Sequence, residues 1–319
     1  MKRQALILSS VVGAVLLGVS YFKFVAAALE GQLALPSMPM LLGGLALFLP
    51  GLFMDGVFAV LWKATRRTVI HLPVLFPFLL IYGGLGHVLM WKLGPVFVPW
   101  TSTDPQMQFL LWGAGEQVVL LIWCCLTFPF LAAAAIFCWR SHEEGEPTPT
   151  FQTAWAFARS KYRRMVGPHA KAFILITLGM IVLIPGVVYG LWFAFVDPIT
   201  ATDDRSKHPL ERSRKLTRGR RGRLVRAWLP FAIWSIPVSG IPPYLPKEME
   251  AIGVFAVVAF GVFDVFLMTI MKMAMYGFYE QRIDDALARR AELSPSDENA
   301  DADSDASAGS ADAPASSDS

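Results

Sequence analysis

The sequence predicts an all-α, polytopic membrane protein of about eight spans, and three observations predict it. Hydrophobic residues make up 55% of the 319, against roughly 45–50% in a soluble globular chain. The excess gathers in runs of about twenty residues, the length a helix needs to cross a ~30 Å hydrocarbon core. Charge gathers as well: ten Lys and Arg lie between Arg205 and Arg226, with Glu211 as the only acid among them. A block this basic is hard to move across a membrane and so fixes the threading of the chain. Strand-type alternation is absent, which argues against a transmembrane barrel.

The net charge of +3 hides two opposed parts. Residues 291–319 carry eight acids and no base. Their Ser, Asp, Ala, Gly and Pro cannot bury a core, so this tail is expected to be disordered. Residues 1–290 form the integral membrane domain, and they are strongly basic.

Lys2 and Arg3 precede the first apolar run, residues 5–22, and place the N-terminus in the cytoplasm. A cleaved signal peptide ending near Ala26-Ala27-Ala28 is the alternative. The length of the run and the interruption at Lys23 and Phe24 favour an uncleaved span. The second span, 38–62, contains Pro50-Gly51 and Asp55 and ends on the cytoplasmic flank Lys63, Arg66 and Arg67. The third is 72–91, with His87 near its end. The nearly uncharged loop 92–106 reads as extracytoplasmic, with Trp91 and Trp100 at the interface belt. The fourth span, 107–139, holds Glu116 in its first half and three cysteines in its second, and Pro129 is expected to kink it.

After a polar cytoplasmic loop, Phe151 to Met165 reads as an amphipathic helix. Phe151, Trp155 and Ala158 share one side, while Arg159, Lys161, Arg163 and Arg164 supply the charged face. Such a helix is expected to lie in the membrane interface. The next apolar run would, as a single span, carry the basic block outside. Pro185-Gly186 at its centre is a turn signal. The run is therefore read as a hairpin, 167–184 outward and 186–201 back, although each arm is short for spanning. Residues 208–222 form a second cytoplasmic interface helix, followed by span seven at 224–240 with Pro230 and Pro237. A short outer loop leads to span eight at 251–276, whose exit near Arg282, Arg289 and Arg290 is cytoplasmic. Both termini are then cytoplasmic. Clustered bases followed by an apolar span recur at 57–82, 150–176 and 208–234, a weak repeat that membrane-protein patterning alone also produces.

From Ile184 the chain reads IPGVVYGLWFAFVDPITATDD and then HPLERSRKLTRGRRGRL. This resembles the pattern of proline-glycine, apolar helix, loop and L-x-x-S-x-x-L-(T/V)-x-G-x-x-x-R helix in a group of bacterial integral membrane proteins. That group comprises proteins similar to the membrane domain of glycerophosphoryl diester phosphodiesterases and the YciC-like uncharacterised family. The matching positions are Pro185, Gly186, Leu210, Ser213, Leu216, Thr217, Gly219 and Arg223. The segments FCWRSHEEGEPTPTFQTAWAFAR and AMYGFYEQR are similar to the group's middle loop and closing helix end, so the resemblance covers about 135–282. It implies a bacterial inner-membrane location. It does not carry phosphodiesterase activity, which in that group belongs to a separate soluble domain.

Ionisable groups within spans raise a functional hypothesis by default. Asp55, Glu116 and Asp264 are the candidate polar site of a transporter or permease; satisfaction by a neighbouring helix is the plainer reading. The cysteines Cys124, Cys125 and Cys138 lack CxxC spacing, and no histidine has ligand spacing, so neither a metal nor a cofactor is expected. No nucleophile elbow, phosphate-binding loop or paired-carboxylate motif occurs, and the chain is expected to be non-enzymatic. The candidate lipid-surface or partner contacts are Arg212, Arg214, Lys215, Arg218, Arg220, Arg221 and Arg223, with Arg159, Arg163 and Arg164 on the earlier helix. Bases without interleaved stacking aromatics favour anionic headgroups over nucleic acid. The function read from sequence is a basic cytoplasmic face contacting anionic lipid, or a protein partner in envelope organisation. An accessory role beside a separately encoded lipid-metabolising enzyme is a further alternative.

Overall fold

Among the described residues, three of the apolar runs form helices long and apolar enough to cross a membrane: Leu72–Met90, Val118–Glu143 and Gly253–Ala288. The computed structural model describes residues 38–53, 56–97, 105–180, 184–238 and 250–293, together with Ser9, Val12, Gly13, Leu16 and Val19. All the described elements are helical. By contacts the chain divides into residues 1–279 and 280–319, which are taken separately. The expected first span falls largely, and residues 98–104, 239–249 and the expected disordered tail from residue 294 on fall wholly, outside the described residues. Of the first span, Ser9 donates to the Leu47 carbonyl at 3.0 Å.

The expected second span is two helices, α1 (Met38–Phe53) and α2 (Val57–Ile70). Gly56, at φ 70, stands before α2 in the left-handed region, which a Cβ disfavours. Helix α2 carries Lys63, Arg66 and Arg67 within its own length rather than on a flank. The third run begins as α3 (Leu72–Leu79), widens to a π-helical segment (Leu80–Leu85) and continues as α4 (Gly86–Phe97). Two carbonyls of the π segment have side-chain donors: Trp123 Nε1–H reaches the Tyr82 oxygen at 2.9 Å, and His87 Nδ1 reaches the Gly83 oxygen at 2.9 Å. His87 thus serves the backbone of its own helix.

In lipid, helix association rests on packing and close backbone approach rather than on escape from water. Gly83 shows this. A Cβ there would come within 2.2 Å of the Gly261 carbonyl oxygen on α11 (Glu250–Leu293). Thr68 meets Met273 Sδ at 3.2 Å, and Trp139 sets its ring edge-on to Tyr276 at 6.1 Å. Glu143, which closes α5 (Pro105–Glu143), pairs with Lys63 and Arg67 of α2. The start of the first apolar helix, the end of the second and the late part of the third therefore meet at one level. The second and third run the same way, opposite to the first. Their outward faces carry large apolar side chains, with Leu126 51% and Phe255 75% exposed, as a lipid-facing surface requires.

The expected interface helix and the outward hairpin arm are one helix, α6 (Phe151–Met180), with Pro168 inside it. Its aromatic stripe packs on protein: Trp155 and Tyr162 lie 4.5 and 5.9 Å from Phe130, and Phe151 lies 5.1 Å from Phe78. Phe78 and Phe130 thus supply ring partners to the stripe, and Trp155 remains 37% exposed.

The return arm exists but is broken into α7 (Ile184–Trp192) and α8 (Val196–Thr202). Pro185 and Gly186 stand in the first turn of α7, where a proline's missing N–H costs nothing, and so within the return arm. Pairs of residues mark the antiparallel hairpin. Gly179 abuts Gly186, His169 meets Asp197, and Lys161 and Arg164 hold Asp204. Helix α9 (Pro209–Thr217) and α10 (Arg221–Val238) follow, joined through Gly219 at φ 83.

Candidate functional site

The break in the return arm is where α9 plugs in. Between Trp192 and Val196 the helical ladder is interrupted, and a fully buried hydroxyl from α9 fills the gap. Ser213 Oγ donates to the Trp192 carbonyl at 2.7 Å and accepts the Phe195 N–H at 3.1 Å. Thr217, one turn on, is also fully buried and donates to the Arg214 carbonyl at 3.2 Å. Ser213 thus holds the hairpin to the basic segment, while the Thr217 bond stays within α9.

Just beyond the break lies a buried charge cluster. Asp197 and His169 are each 5% exposed. Asp197 Oδ1 accepts from His169 Nδ1 at 2.7 Å, and Oδ2 pairs with Lys272 Nζ of α11. A carboxylate in such a place is tolerated only when cations and donors surround it. Asp264 lies two turns before Lys272 on α11 and therefore on roughly the same helix face.

The surrounding end of the molecule is rich in bases, and most find a partner. Arg67, 4% exposed, pairs with Glu143 and lays its guanidinium 3.9 Å above the Trp139 ring. Arg212 pairs with Asp203, and Lys215 pairs with Glu211 at 2.7 Å. Hydrogen bonding from Lys161, and then Arg164, holds the exposed Asp204 carboxyl below the usual carboxylate range. Lys215 does the same to Glu211. Burial, with His142 and Arg67 nearby, lowers the pKa of His71.

Of the expected basic contacts, Arg159, Arg163, Arg214, Lys215 and Arg218 are exposed, while Arg164, Arg212, Arg220, Arg221 and Arg223 are half-buried. Arg223 stacks 5.2 Å from Phe278. Arg214 and Arg221 share the Trp192 ring, at 4.1 and 5.6 Å from its centroid. Of the expected acidic trio of Asp55, Glu116 and Asp264, only Asp264 is described with its side chain. Asp55 and the Glu116 side chain lie outside the described residues. The structure does gather His169, Asp197 and Lys272. Sequence reasoning passed over Asp197, although it stands inside the predicted return arm in VDPIT, and that placement was the available signal. Cys124, Cys125 and Cys138 are buried free thiols.

Comparison with protein-family models, curated proteins and solved structures finds no match for this chain.

Proposed function

We propose that the chain is a non-enzymatic integral membrane protein of a bacterial inner membrane, with its basic end seated on the anionic lipid of the cytoplasmic leaflet. One observation carries the reading: Lys63 and Arg67 meet Glu143 where the first long apolar helix begins and the second ends, and the basic segment reaches the late part of the third through Arg223 and Phe278. Exposed bases in these segments include Arg66, Arg159, Arg163, Lys207, Arg214, Lys215 and Arg218. A base at an anionic surface contributes about 1 kcal/mol, so several acting together hold the end firmly. The resemblance at Leu210 to Arg223 agrees with this reading, and an accessory role beside a lipid-metabolising enzyme is compatible with it. The experiment is co-sedimentation of the protein, reconstituted in nanodiscs of neutral lipid, with vesicles of phosphatidylglycerol. Association that weakens with salt, and weakens again in an Arg159→Gln, Arg163→Gln, Arg218→Gln variant, supports the reading. Association indifferent to both removes it.

A second reading, a proton- or cation-coupled transporter, is favoured by the His169–Asp197–Lys272 cluster with Asp264 two turns away on α11. Ionisable groups inside a helical bundle commonly mark an ion path. Proton uptake by proteoliposomes, abolished in Asp197→Asn, is its test.

A further inference from the structure

The acids around the return arm are all in use. Asp197 serves His169 and Lys272, Asp203 serves Arg212, Asp204 serves Lys161 and Arg164, and Glu211 serves Lys215. Arg214 and Arg221 have no acid partner among the described residues. They nevertheless lie over one ring, that of Trp192, with their guanidinium carbons 4.1 and 5.6 Å from its centroid. They are no further apart than about a Debye length, ~10 Å at 0.1 M salt, so their charges repel. The ring's quadrupole offsets part of that repulsion and no more. Two further donors at the same place are buried and have no acceptor among the described residues: the Nε of Arg221 and the indole Nε1 of Trp192. Guanidinium and indole nitrogens are donors only. One group that carries negative charge and several acceptor oxygens would satisfy all of them.

The arrangement is built rather than incidental. Ser213 fixes the backbone of Trp192 through its carbonyl at 2.7 Å. Gly219, at φ 83, turns the chain between α9 and α10 so that Arg221 comes back to the ring that Arg214 already covers. Arg221 is also the first residue of an 18-residue helix, whose N-terminal dipole favours an anion.

We propose that Arg214, Arg221 and the indole N–H of Trp192 form a site for a single phosphate group. The guanidiniums bind its oxygens as forks, and the indole donates to a third oxygen. Two sources supply such a group: the headgroup of an anionic phospholipid, or a soluble phosphate compound from the cytoplasm. The lipid source rests on the lipid-surface reading above; the site does not. It differs from the diffuse attraction of exposed bases in being stoichiometric and in depending on an uncharged residue, Trp192.

The test uses the full-length protein in neutral detergent. Native mass spectrometry is run with phosphatidylglycerol and with phosphatidylcholine, and calorimetric titration with inorganic phosphate. The expected result is one tight phosphatidylglycerol adduct per chain, weakened at least tenfold by Arg214→Gln or Arg221→Gln and several-fold by Trp192→Phe, which keeps the ring and removes the donor. Arg159→Gln with Arg163→Gln leaves the adduct unchanged. Arg214 is exposed, so its replacement does not threaten folding, and melting curves check this for each variant. One-to-one binding of inorganic phosphate with the same variant pattern, and no preference for the lipid, keeps the site and assigns the phosphate to a soluble compound. Absence of a one-to-one adduct with either probe overturns the proposal, as does an adduct that survives Arg214→Gln and Arg221→Gln. Loss of salt-dependent vesicle association on removing Arg159 and Arg163 concerns only the broader lipid-surface reading.

Discussion

Ser213 stands in for a missing helical hydrogen bond at Trp192: its hydroxyl donates to the Trp192 carbonyl at 2.7 Å and takes the Phe195 N–H at 3.1 Å. Ser213 is fully buried. Ser213→Ala leaves a backbone donor and an acceptor facing an apolar methyl, which costs about 1–3 kcal/mol. A lowered melting temperature in detergent is expected. A neighbouring exposed change such as Arg214→Gln should leave it nearly unmoved.

The Asp197–Lys272 pair is expected to behave as a unit. Removing one member strands a buried charge and costs about 3–5 kcal/mol, whereas removing both with apolar residues of similar size costs far less. Asp197→Leu and Lys272→Met should each lower thermal stability sharply, and the double variant should recover much of the loss. Additive losses would show that the two charges are not coupled.

Gly261 is where helix-to-helix distance is set. A Cβ there would stand 2.3 Å from the Gly83 carbonyl oxygen, and backbone cannot swing aside as a side chain does. Gly261→Ala is expected to push the helices apart at about 1–3 kcal/mol. Gly43→Ala, with nothing within 4 Å of its added Cβ, is the silent control. Thermal unfolding of the two variants checks the contrast.

Stability should also fall on mild acidification, through His71. Its two ring nitrogens are buried without hydrogen-bond partners, with His142 and Arg67 beside it, so the fold favours the neutral ring. The folded pKa therefore lies below the ordinary 6.5, and the unfolded chain binds the proton first. The stabilising contribution is complete above the unfolded value and is lost as pH falls through it towards the depressed folded value. Melting temperatures of the native chain and of His71→Asn should converge as pH is lowered from about 7.5 to about 5.5, the range in which an ordinary histidine titrates. The exposed carboxylates Asp204 and Glu211 act in the same direction but at lower pH.

The hairpin was legible in the sequence because charge decided it. A single span after residue 170 would put ten bases outside, and the antiparallel contacts from Gly179–Gly186 to Arg164–Asp204 agree with the reversal. The long apolar helices were legible from hydropathy. The union of 151–165 with the outward arm was not, because Gly167-Pro168 disfavours a helix locally, yet Pro168 stands inside α6. Nor was the charge cluster, whose members stand 28 and 75 residues apart and carry no local signature. The role of Ser213 sat in plain view within the family-like pattern, but a backbone gap twenty residues upstream is invisible to spacing.

The central claim is that the basic segment between the hairpin and α10 faces the cytoplasm. It is tested most directly by a cysteine at the exposed Lys207, in a chain whose buried Cys124, Cys125 and Cys138 are replaced by alanine. A membrane-impermeant maleimide should label Lys207→Cys in inverted membrane vesicles and not in intact cells. Labelling in intact cells would contradict the account, since the hairpin would then not return the chain to the side from which it left.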